Sequence, residues 1–223
     1  MLSVIIPTYN ERDNMFPLIS RLATVLPKGS EIIVVDDNSP DGTAAVVEKL
    51  SSRFPALLLV KRTRKQGLTS AIVAGVSVSH GERLVVMDAD LSHPPEAVPA
   101  LASALSGHDL VIGNRLLKGG GIKTWPLHRR LISWSAQALA RILLGVKLTD
   151  PMSGFFAVRR NVFMKTRFRT RGYKLLLNIL ADNPRMRVKE LPYTFSDRHS
   201  GRTKLGAAEM VVYLLDLLRI KSG

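Results

Sequence analysis

The sequence predicts an α/β protein built on a mostly parallel sheet that is flanked by helices on both faces. Short apolar runs rich in β-branched residues alternate with helical patterns along the first half of the chain, which is the spacing of strand–helix–strand units. With 223 residues, 46% of them hydrophobic, the chain can bury one sizeable core. No linker or internal repeat divides it, so we expect a single domain over residues 1–223.

Each element of the first half follows from its own pattern. Apolar runs at residues 2–7 and 31–36 predict strands, and apolar residues at helical spacing predict a helix at residues 12–26. The same two patterns then alternate. We expect further strands at residues 56–61, 83–88 and 109–114, and further helices at residues 43–54, 68–79 and 95–106.

The second half is less regular. Residues 116–126 include three consecutive glycines and predict a mobile loop. A predicted helix at residues 127–144 has a polar stripe beside wide apolar faces, so it either packs on the sheet or lies in a membrane interface. Asp150 begins a turn that leads into a short strand. A strand at residues 188–195, a polar loop at residues 196–203 and an amphipathic helix at residues 205–220 complete the prediction.

The composition excludes several classes of protein. There are no cysteines, so disulfides and thiolate metal sites are excluded, and the five histidines are scattered, which argues against a zinc site. No apolar run reaches the length of about 18 residues that spans a bilayer. Neither a signal peptide nor an N-glycosylation acceptor is visible, which favours the cytosolic side of a membrane.

The charge is unevenly distributed along the chain. Residues 1–110 carry 10 Lys and Arg against 12 Asp and Glu, whereas residues 111–223 carry 22 against 6. A solvated basic surface is one explanation. An anionic partner for the second half is the other: nucleic acid, an anionic membrane or a phosphorylated substrate.

Asp88 and Asp90 are the best candidates for a metal site. They follow an apolar run, and alternate side chains of a strand share a face, so the two carboxylates can point at one spot. Two close like charges are costly unless a cation lies between them. A hard divalent cation that also holds substrate phosphates is the natural occupant.

Polar residues also follow two other predicted strands. Tyr9 and Glu11 follow the first strand, and Asp36 and Asp37 end the second. Ligands of parallel α/β sheets bind outside the carboxyl ends of the strands, where acidic residues can bind ribose hydroxyls or a base. Turn formation and helix capping by the same segments are the alternative.

Arg115 is the candidate for phosphate binding at this edge. No glycine-rich phosphate loop of the Walker or dinucleotide kind is present, so phosphates would have to be neutralised by a metal and by arginines. Arg115 follows the predicted strand at residues 109–114, although simple solvation is the usual fate of an arginine. Covalent acyl chemistry has no visible machinery, because no Gly-x-Ser-x-Gly elbow and no cysteine occur.

These motifs together resemble the family 2 glycosyltransferases of the polyprenyl-phosphate type, closest to the dolichyl-phosphate mannosyltransferases. The resemblance covers residues 1 to about 206. It is carried, in order, by Pro7-Thr-Tyr9-Asn10-Glu11, Asp36-Asp37-Asn-Ser-Pro-Asp41, Asp88-Ala-Asp90, Gly-Asn-Arg115, Asp150-Pro-Met-Ser153-Gly-Phe-Phe and Arg198-x-x-Gly201-x-Thr203-Lys204.

The resemblance implies a GT-A fold and a metal-dependent, inverting transfer of mannose from GDP-mannose to dolichyl or another polyprenyl phosphate. It implies nucleotide contacts by Pro7, Tyr9, Glu11 and Asp37, with Asp36 and Ser153 also in the substrate-binding set. Asp88, Asp90 and Ser92 would surround Mg²⁺ or Mn²⁺. Arg115, one of Arg129 and Arg130, Arg198 and Lys204 would hold the donor diphosphate or the lipid phosphate. Asp90, Arg115, Arg198 and Lys204 would be the catalytic group.

The resemblance also divides the domain and gives the basic half a partner. Residues 1–115 would form the nucleotide-sugar and metal half, residues 116–204 the acceptor-side half, and residues 205–223 a C-terminal amphipathic helix. The protein would lie peripherally on the cytoplasmic face of a membrane, with room for a membrane-anchoring partner subunit. A UDP-sugar hexosyltransferase acting on polyprenyl phosphate is the alternative enzyme. A basic nucleic-acid-binding protein is the non-enzyme alternative, and the scarcity of aromatic residues among the basic ones argues against it.

Overall fold

The computed structural model describes residues 1–122, 135, 137–142, 145, 147–169, 175–196, 217 and 219–220. Its strands are β1 (Leu2–Thr8), β2 (Glu31–Asp36), β3 (Leu57–Lys61), β4 (Arg83–Val86), β5 (Leu110–Asn114), β6 (Gly121–Ile122), β7 (Phe156–Arg159), β8 (Val188–Pro192) and β9 (Thr194–Phe195). Its helices are α1 (Arg12–Val25), α2 (Thr43–Ser51), α3 (Leu68–Val78), α4 (Val98–Ala104), α5 (Arg160–Lys165) and α6 (Leu175–Asp182). A 3₁₀ turn at Pro95–Ala97 precedes α4, and residues 137–142 are also helical.

Seven strands form one sheet in the order β3-β2-β1-β4-β7-β5-β8. All of the pairings in this sheet are parallel except those of β7, which runs antiparallel to both β4 and β5. The carboxyl ends of β1, β2, β4 and β5 therefore lie along one edge of the sheet. Because β7 runs the opposite way, it begins at that same edge.

Each face of the sheet is covered by its own set of helices. Successive residues of β1 alternate between the faces: Ile6 belongs to a buried cluster with residues of α1, α2 and α4, while Ile5 belongs to one with residues of α3, α5 and α6. Both side chains are fully buried. The predicted α/β class, the mostly parallel sheet and the helices on both faces are confirmed.

Several predicted boundaries are wrong. The strand predicted at residues 83–88 ends at Val86. The Met87 N–H still donates to the Ile5 carbonyl oxygen of β1 at 3.2 Å, but the Asp88 N–H donates to the His93 side chain instead. The strand predicted at residues 188–195 is two strands, since the chain leaves the large sheet after Pro192 and β9 pairs with β6 instead. That pairing also places a short strand inside the loop predicted at residues 116–126.

Two helices, α5 and α6, were not predicted. The residues Leu175–Leu180 at the start of α6 are all buried, and a short buried apolar run does not by itself distinguish a helix from a strand. Residues 137–142 agree with the helix predicted at residues 127–144. The rest of that prediction lies largely outside the described residues, as does most of the helix predicted at residues 205–220. No helix among the described residues is both long and apolar enough to cross a membrane.

Glu31 ties three segments together at the amino edge of the sheet, opposite the polar clusters. Its carboxylate accepts hydrogen bonds from Ser3 Oγ at 2.6 Å and from the backbone N–H groups of His80 and Gly81 at 2.5 and 3.2 Å. Burial alone would raise the pKa of Glu31, but these hydrogen bonds outweigh it and hold the pKa below its ordinary value of 4.5.

Replacing Glu31 with glutamine is expected to lower the free energy of unfolding at pH 7 by about 1–3 kcal/mol, because charged acceptor bonds are lost. A carboxylate with a depressed pKa stabilises the fold above its unfolded-state pKa and loses that contribution as the pH falls through its folded-state value. The difference between wild type and variant should therefore shrink below pH 4.5. Urea unfolding at pH 7 and at acid pH measures it. Glu48→Gln is the control, because Glu48 is 54% exposed in its ion pair with Lys61.

Candidate active site

The loops after β1 and β2 form one wall of the site. The backbone N–H groups of Asn10, Glu11 and Arg12 donate in turn to Ser39 Oγ, Thr43 Oγ1 and Asp41 Oδ2, at 3.0, 3.0 and 3.1 Å. Asn10 adopts a left-handed conformation, with φ of 60°, which an asparagine tolerates better than most residues. These contacts hold the two loops side by side, as the shared sheet edge predicts.

Tyr9 and Glu11 are only partly buried on this wall. The ammonium of Lys65 lies 3.4 Å from the centre of the Tyr9 ring, and Glu11 accepts a 2.6 Å hydrogen bond from Asn14. Pro7 is buried within β1, where it is paired with Val35. Of the three residues in and after β1 that are predicted to contact the nucleotide, Tyr9 and Glu11 are thus the ones that lie at the edge of the sheet.

Asp36 and Asp37 are both buried and both hold loops in place. Asp36 accepts hydrogen bonds from the backbone and side chain of Ser39, at 3.0 and 2.5 Å, and from Thr8. Asp37 forms an ion pair with Arg62 at 2.9 Å, and its oxygens accept from the backbone N–H groups of Gln66 and Gly67. Asp37 thereby fixes the segment that carries Lys65 over Tyr9. Direct ligand contact by either aspartate stays a prediction.

Asp88 and Asp90 lie in the loop after β4 and not on the strand itself, so strand alternation is not what brings them to this edge. Asp90 is 4% exposed and accepts a 3.1 Å hydrogen bond from the backbone N–H of Ser92, whereas the Asp88 side chain is 39% exposed. Leu91, between Asp90 and Ser92, has a φ of 62°, which is unusual for a leucine and turns the chain sharply. The tight turn holds Asp90 close to Ser92.

The residues of this turn suit a hard divalent cation. Their donors are carboxylate and hydroxyl oxygens, which Mg²⁺ and Mn²⁺ prefer. The Ser92 hydroxyl oxygen is buried and has no hydrogen-bond partner among the described residues, which leaves its lone pairs available for a cation. No cluster of three or more His, Asp or Glu side chains suited to a metal occurs within the described part of the chain. Mg²⁺ in nucleotide sites commonly takes further oxygen ligands from substrate phosphates and water.

His93 packs directly beside the aspartates and was not predicted as a site residue. Its Nδ1 accepts a 3.0 Å hydrogen bond from the backbone N–H of Asp88, which requires the neutral ring with its proton on Nε2. Burial lowers the pKa of His93 to about 3, against the attraction of Asp90, which raises it. The ring is consequently neutral across the physiological range.

Arg115 follows β5 and is anchored by a buried carboxylate. Its Nε lies 3.1 Å from Asp150 Oδ2, with the side chains only 13% and 0% exposed. The guanidinium also lies over the Phe195 ring, 5.3 Å from its centre. Burial raises the pKa of Asp150, although the charge of Arg115 lowers it. The structure therefore fixes Arg115 at the edge and does not leave it as a solvated surface cation.

Glu190, on β8, holds the segment that carries Asp150. Its carboxylate accepts from Asn114 Nδ2 at 2.7 Å, from the backbone N–H and hydroxyl of Thr149, and from the backbone N–H of Asp150 at 3.2 Å. Sequence reasoning missed Glu190, because an isolated glutamate on a short strand carries no local signal. Its partners lie 40–76 residues away in the chain.

Ser153 supports the same turn from within. Its hydroxyl donates to the Gly113 carbonyl oxygen at 2.7 Å and accepts from the Phe155 backbone N–H at 3.2 Å, and the side chain is buried. Its predicted contact with substrate stays a prediction. The remaining predicted site residues, Arg129, Arg130, Arg198 and Lys204, lie outside the described residues.

The sheet is mostly parallel, and the acidic and basic side chains described above lie outside the carboxyl ends of its strands. This is the arrangement of α/β proteins that bind nucleotides. The family profile described as glycosyl transferase family 2 matches residues 3–167. The chain belongs to this family.

Relatives within the family cover nearly the whole chain. It is 43% identical to the dolichol-phosphate mannosyltransferase of Pyrococcus furiosus over 98% of its own length, but spans only 63% of that relative. It is 39% identical to the dolichol-phosphate mannosyltransferase of Saccharomyces cerevisiae, over 96% of this chain and 85% of that protein. It is 38% identical to the polyprenol monophosphomannose synthase of Mycolicibacterium smegmatis, over 93% of this chain and 82% of that protein.

The fold recurs in solved structures. Glucosyl-3-phosphoglycerate synthase from Mycobacterium tuberculosis, crystallised with Mn²⁺, UDP-glucose and glycerol 3-phosphate, superposes with a TM-score of 0.75 at 20% identity. The superposition covers 100% of this chain and 80% of that one. The predicted GT-A fold is confirmed.

Proposed function

We propose that this protein transfers mannose from GDP-mannose to a polyprenyl phosphate such as dolichyl phosphate, with inversion at the sugar carbon. The observation that carries the proposal is the 37–43% identity, over 90–98% of this chain, to relatives named as polyprenyl-phosphate mannosyltransferases. The site suits this reaction, because it offers carboxylates on one side and an anchored arginine on the other.

The donor side would be formed by the wall of loops after β1 and β2 and by the turn after β4. Tyr9 and Glu11 are presented where a nucleoside would lie, and Asp37 fixes the loop that covers Tyr9. Asp88, Asp90 and Ser92 would hold Mg²⁺ or Mn²⁺ against the donor diphosphate. When bound, such a cation neutralises charge that develops on the departing GDP. Arg115, kept in place by Asp150, would add a second positive charge to the leaving group.

The acceptor side needs little help with deprotonation. A phosphate oxygen is already anionic near neutral pH, so a lipid phosphate can attack the sugar carbon without a strong general base. His93 is neutral but is buried and engaged with the Asp88 backbone, so we assign it no proton transfer. Attack from the side opposite the diphosphate forms the new carbon–oxygen bond as the bond to GDP breaks. The product is a mannosyl lipid phosphate of inverted configuration.

The acceptor places the protein at a membrane surface, and the charge distribution fits that location. Part of the 22 Lys and Arg of residues 111–223 would face anionic lipid headgroups and the acceptor phosphate, whereas Arg159 and Arg187 pair with Asp109 at the opposite edge of the sheet. The predicted phosphate contacts by Arg129 or Arg130, Arg198 and Lys204 belong to this part of the proposal. Location on the cytoplasmic face of the membrane and a membrane-anchoring partner subunit are also part of the proposal.

A donor and acceptor screen tests the proposal. Purified protein with Mg²⁺ or Mn²⁺ should convert GDP-mannose and a polyprenyl phosphate in detergent into a mannosyl lipid and GDP, while the unphosphorylated polyprenol gives no product. The anomeric configuration of the product, measured by NMR, reports on inversion. Turnover of UDP-glucose with GDP-mannose left untouched would replace the mannosyltransferase with the UDP-sugar alternative.

A further inference from the structure

We propose that His93 is a positioning residue that fixes the metal-binding Asp88 through its backbone, and that an aromatic cage locks the His93 ring for this purpose. The inference rests on the proposed function only in taking Asp88 as a ligand of the divalent cation. It assigns His93 a role that needs no contact with the sugar donor or the acceptor.

The cage encloses His93 on several sides. Phe155 stacks on the imidazole with ring centres 4.9 Å apart and planes within 10°, while Tyr193 and Phe195 meet it edge-on at 5.7 and 6.1 Å. The His93 side chain is 3% exposed. Aromatic pairs at these separations are attractive beyond simple burial, so the ring has one well-defined orientation.

This orientation directs Nδ1 at the backbone of Asp88. The Asp88 N–H donates to it at 3.0 Å, two residues beyond the end of β4 and outside the ladders that β4 forms with β1 and β7. His93 therefore supplies the hydrogen bond that a strand partner would otherwise provide, and this bond sets the backbone from which the Asp88 carboxylate projects. The Nε2 atom lies 3.9 Å from Asp88 Oδ2, so both ring nitrogens face the same residue.

Gly154 and Gly113 lie beside the cage, and only Gly113 is needed for space. A Cβ at Gly154 would make ordinary van der Waals contacts, 3.5 Å from the His93 ring and 3.6 Å from Asp88 Oδ2. A Cβ at Gly113 would lie 2.8 Å from the Phe155 ring, which is closer than side chains tolerate. The backbone thus closes around the cage from two separate segments.

The cage also connects the two charged groups of the site. Phe195 contacts the His93 ring on one side and the Arg115 guanidinium on the other. The Ser196 backbone N–H donates to the Ser92 carbonyl oxygen at 3.4 Å, which ties the same segment to the aspartate turn. The cation-binding side and the arginine side of the site are therefore packed against one rigid aromatic unit.

Two variants of nearly equal shape test the role of Nδ1. Asparagine places its Oδ1 where histidine has Nδ1, whereas leucine has the same branching without an acceptor. We expect His93→Leu to weaken Mn²⁺ binding in the presence of GDP by about 10-fold or more, as loss of a supporting hydrogen bond around a metal ligand commonly does. His93→Asn should stay within a few-fold of wild type. The signal of free Mn²⁺ in electron paramagnetic resonance measures both affinities without sugar or acceptor.

The outcomes separate this role from simple packing. Equal weakening in both variants, or in neither, overturns the proposal. If the leucine variant does not fold, NMR of the ¹⁵N-labelled wild type decides the matter: a scalar coupling across the hydrogen bond between the Asp88 amide and His93 Nδ1 supports it, and its absence overturns it. Absence of Mn²⁺ binding with GDP or UDP in wild type removes the positioning role as well. Intact Mn²⁺ binding without mannosyl transfer removes only the proposed reaction.

Discussion

Replacing Asp90 with asparagine is expected to reduce mannosyl transfer by about three orders of magnitude, since a metal site contributes several kcal/mol of charge stabilisation in the transition state. Asp90 is the more buried of the two aspartates, and its Oδ1 accepts the hydrogen bond from Ser92 that closes the turn. Asparagine can keep that hydrogen bond, so the turn should survive while the negative charge is lost.

The loss should be measured as kcat/KM for GDP-mannose at saturating polyprenyl phosphate, over a range of Mn²⁺ concentrations. A weakened metal site should need more Mn²⁺ to reach its residual rate. Asp109→Asn is the matched control, because Asp109 lies beside the amino end of β5, where it pairs with Arg159 and Arg187. Transfer by Asp90→Asn at the rate of the Asp109 control would remove Asp90 from the mechanism.

Replacing Arg115 with methionine should lower both the rate of mannosyl transfer and the free energy of unfolding. Removing one partner of a buried ion pair typically lowers the free energy of unfolding by about 3–5 kcal/mol, because the other charge is left without compensation. Here the remaining charge is that of Asp150, whose side chain is completely buried. Urea unfolding at pH 7 measures the effect. Arg21→Met is the control, because its ion pair with Glu96 is about half exposed and should be worth no more than about 1 kcal/mol.

The pH dependence of the Arg115 variant has a definite sign. Burial already raises the pKa of Asp150, and loss of the Arg115 charge, which lowers it, raises it further. An acid whose folded-state pKa is raised destabilises the fold while it is charged, and this cost falls as the pH drops through the folded-state pKa. The variant should therefore recover stability on mild acidification, and Asp150→Asn in the same chain should recover it at pH 7. A loss that is independent of pH, and is not relieved by the second substitution, would contradict the buried pair.

Local patterns in the sequence predicted the sheet and its polar edge because the strands of β1, β2, β4 and β5 are continuous apolar runs with polar residues after them. Such patterns do not predict the order of the strands in the sheet. The insertion of β7 between β4 and β5 depends on contacts between segments about 45–75 residues apart, which no local period records. Sequence patterns are also insufficient for α6, because a short buried apolar run does not distinguish a helix from a strand.

For the site, the sequence predicted which residues are involved better than it predicted the contacts that hold them in place. Asp90, Asp37 and Arg115 were identified by type and position, and all three lie at the expected edge. Their fixing contacts were not predicted: Asp37 holds a loop about 30 residues away, and Arg115 depends on Asp150. A histidine in an apolar stretch of sequence is often a core residue, so only the contacts around Asp88 distinguish His93 from an ordinary core histidine.

The reversed direction of β7 has a consequence for how this fold can vary. The chain leaves the sheet edge at Arg115 and comes back to it at Asp150, and the ion pair between these two residues fastens the exit to the return. The segment between them is thus closed at its base, and lengthening such a segment costs the sheet little, since loop-closure entropy grows only slowly with length.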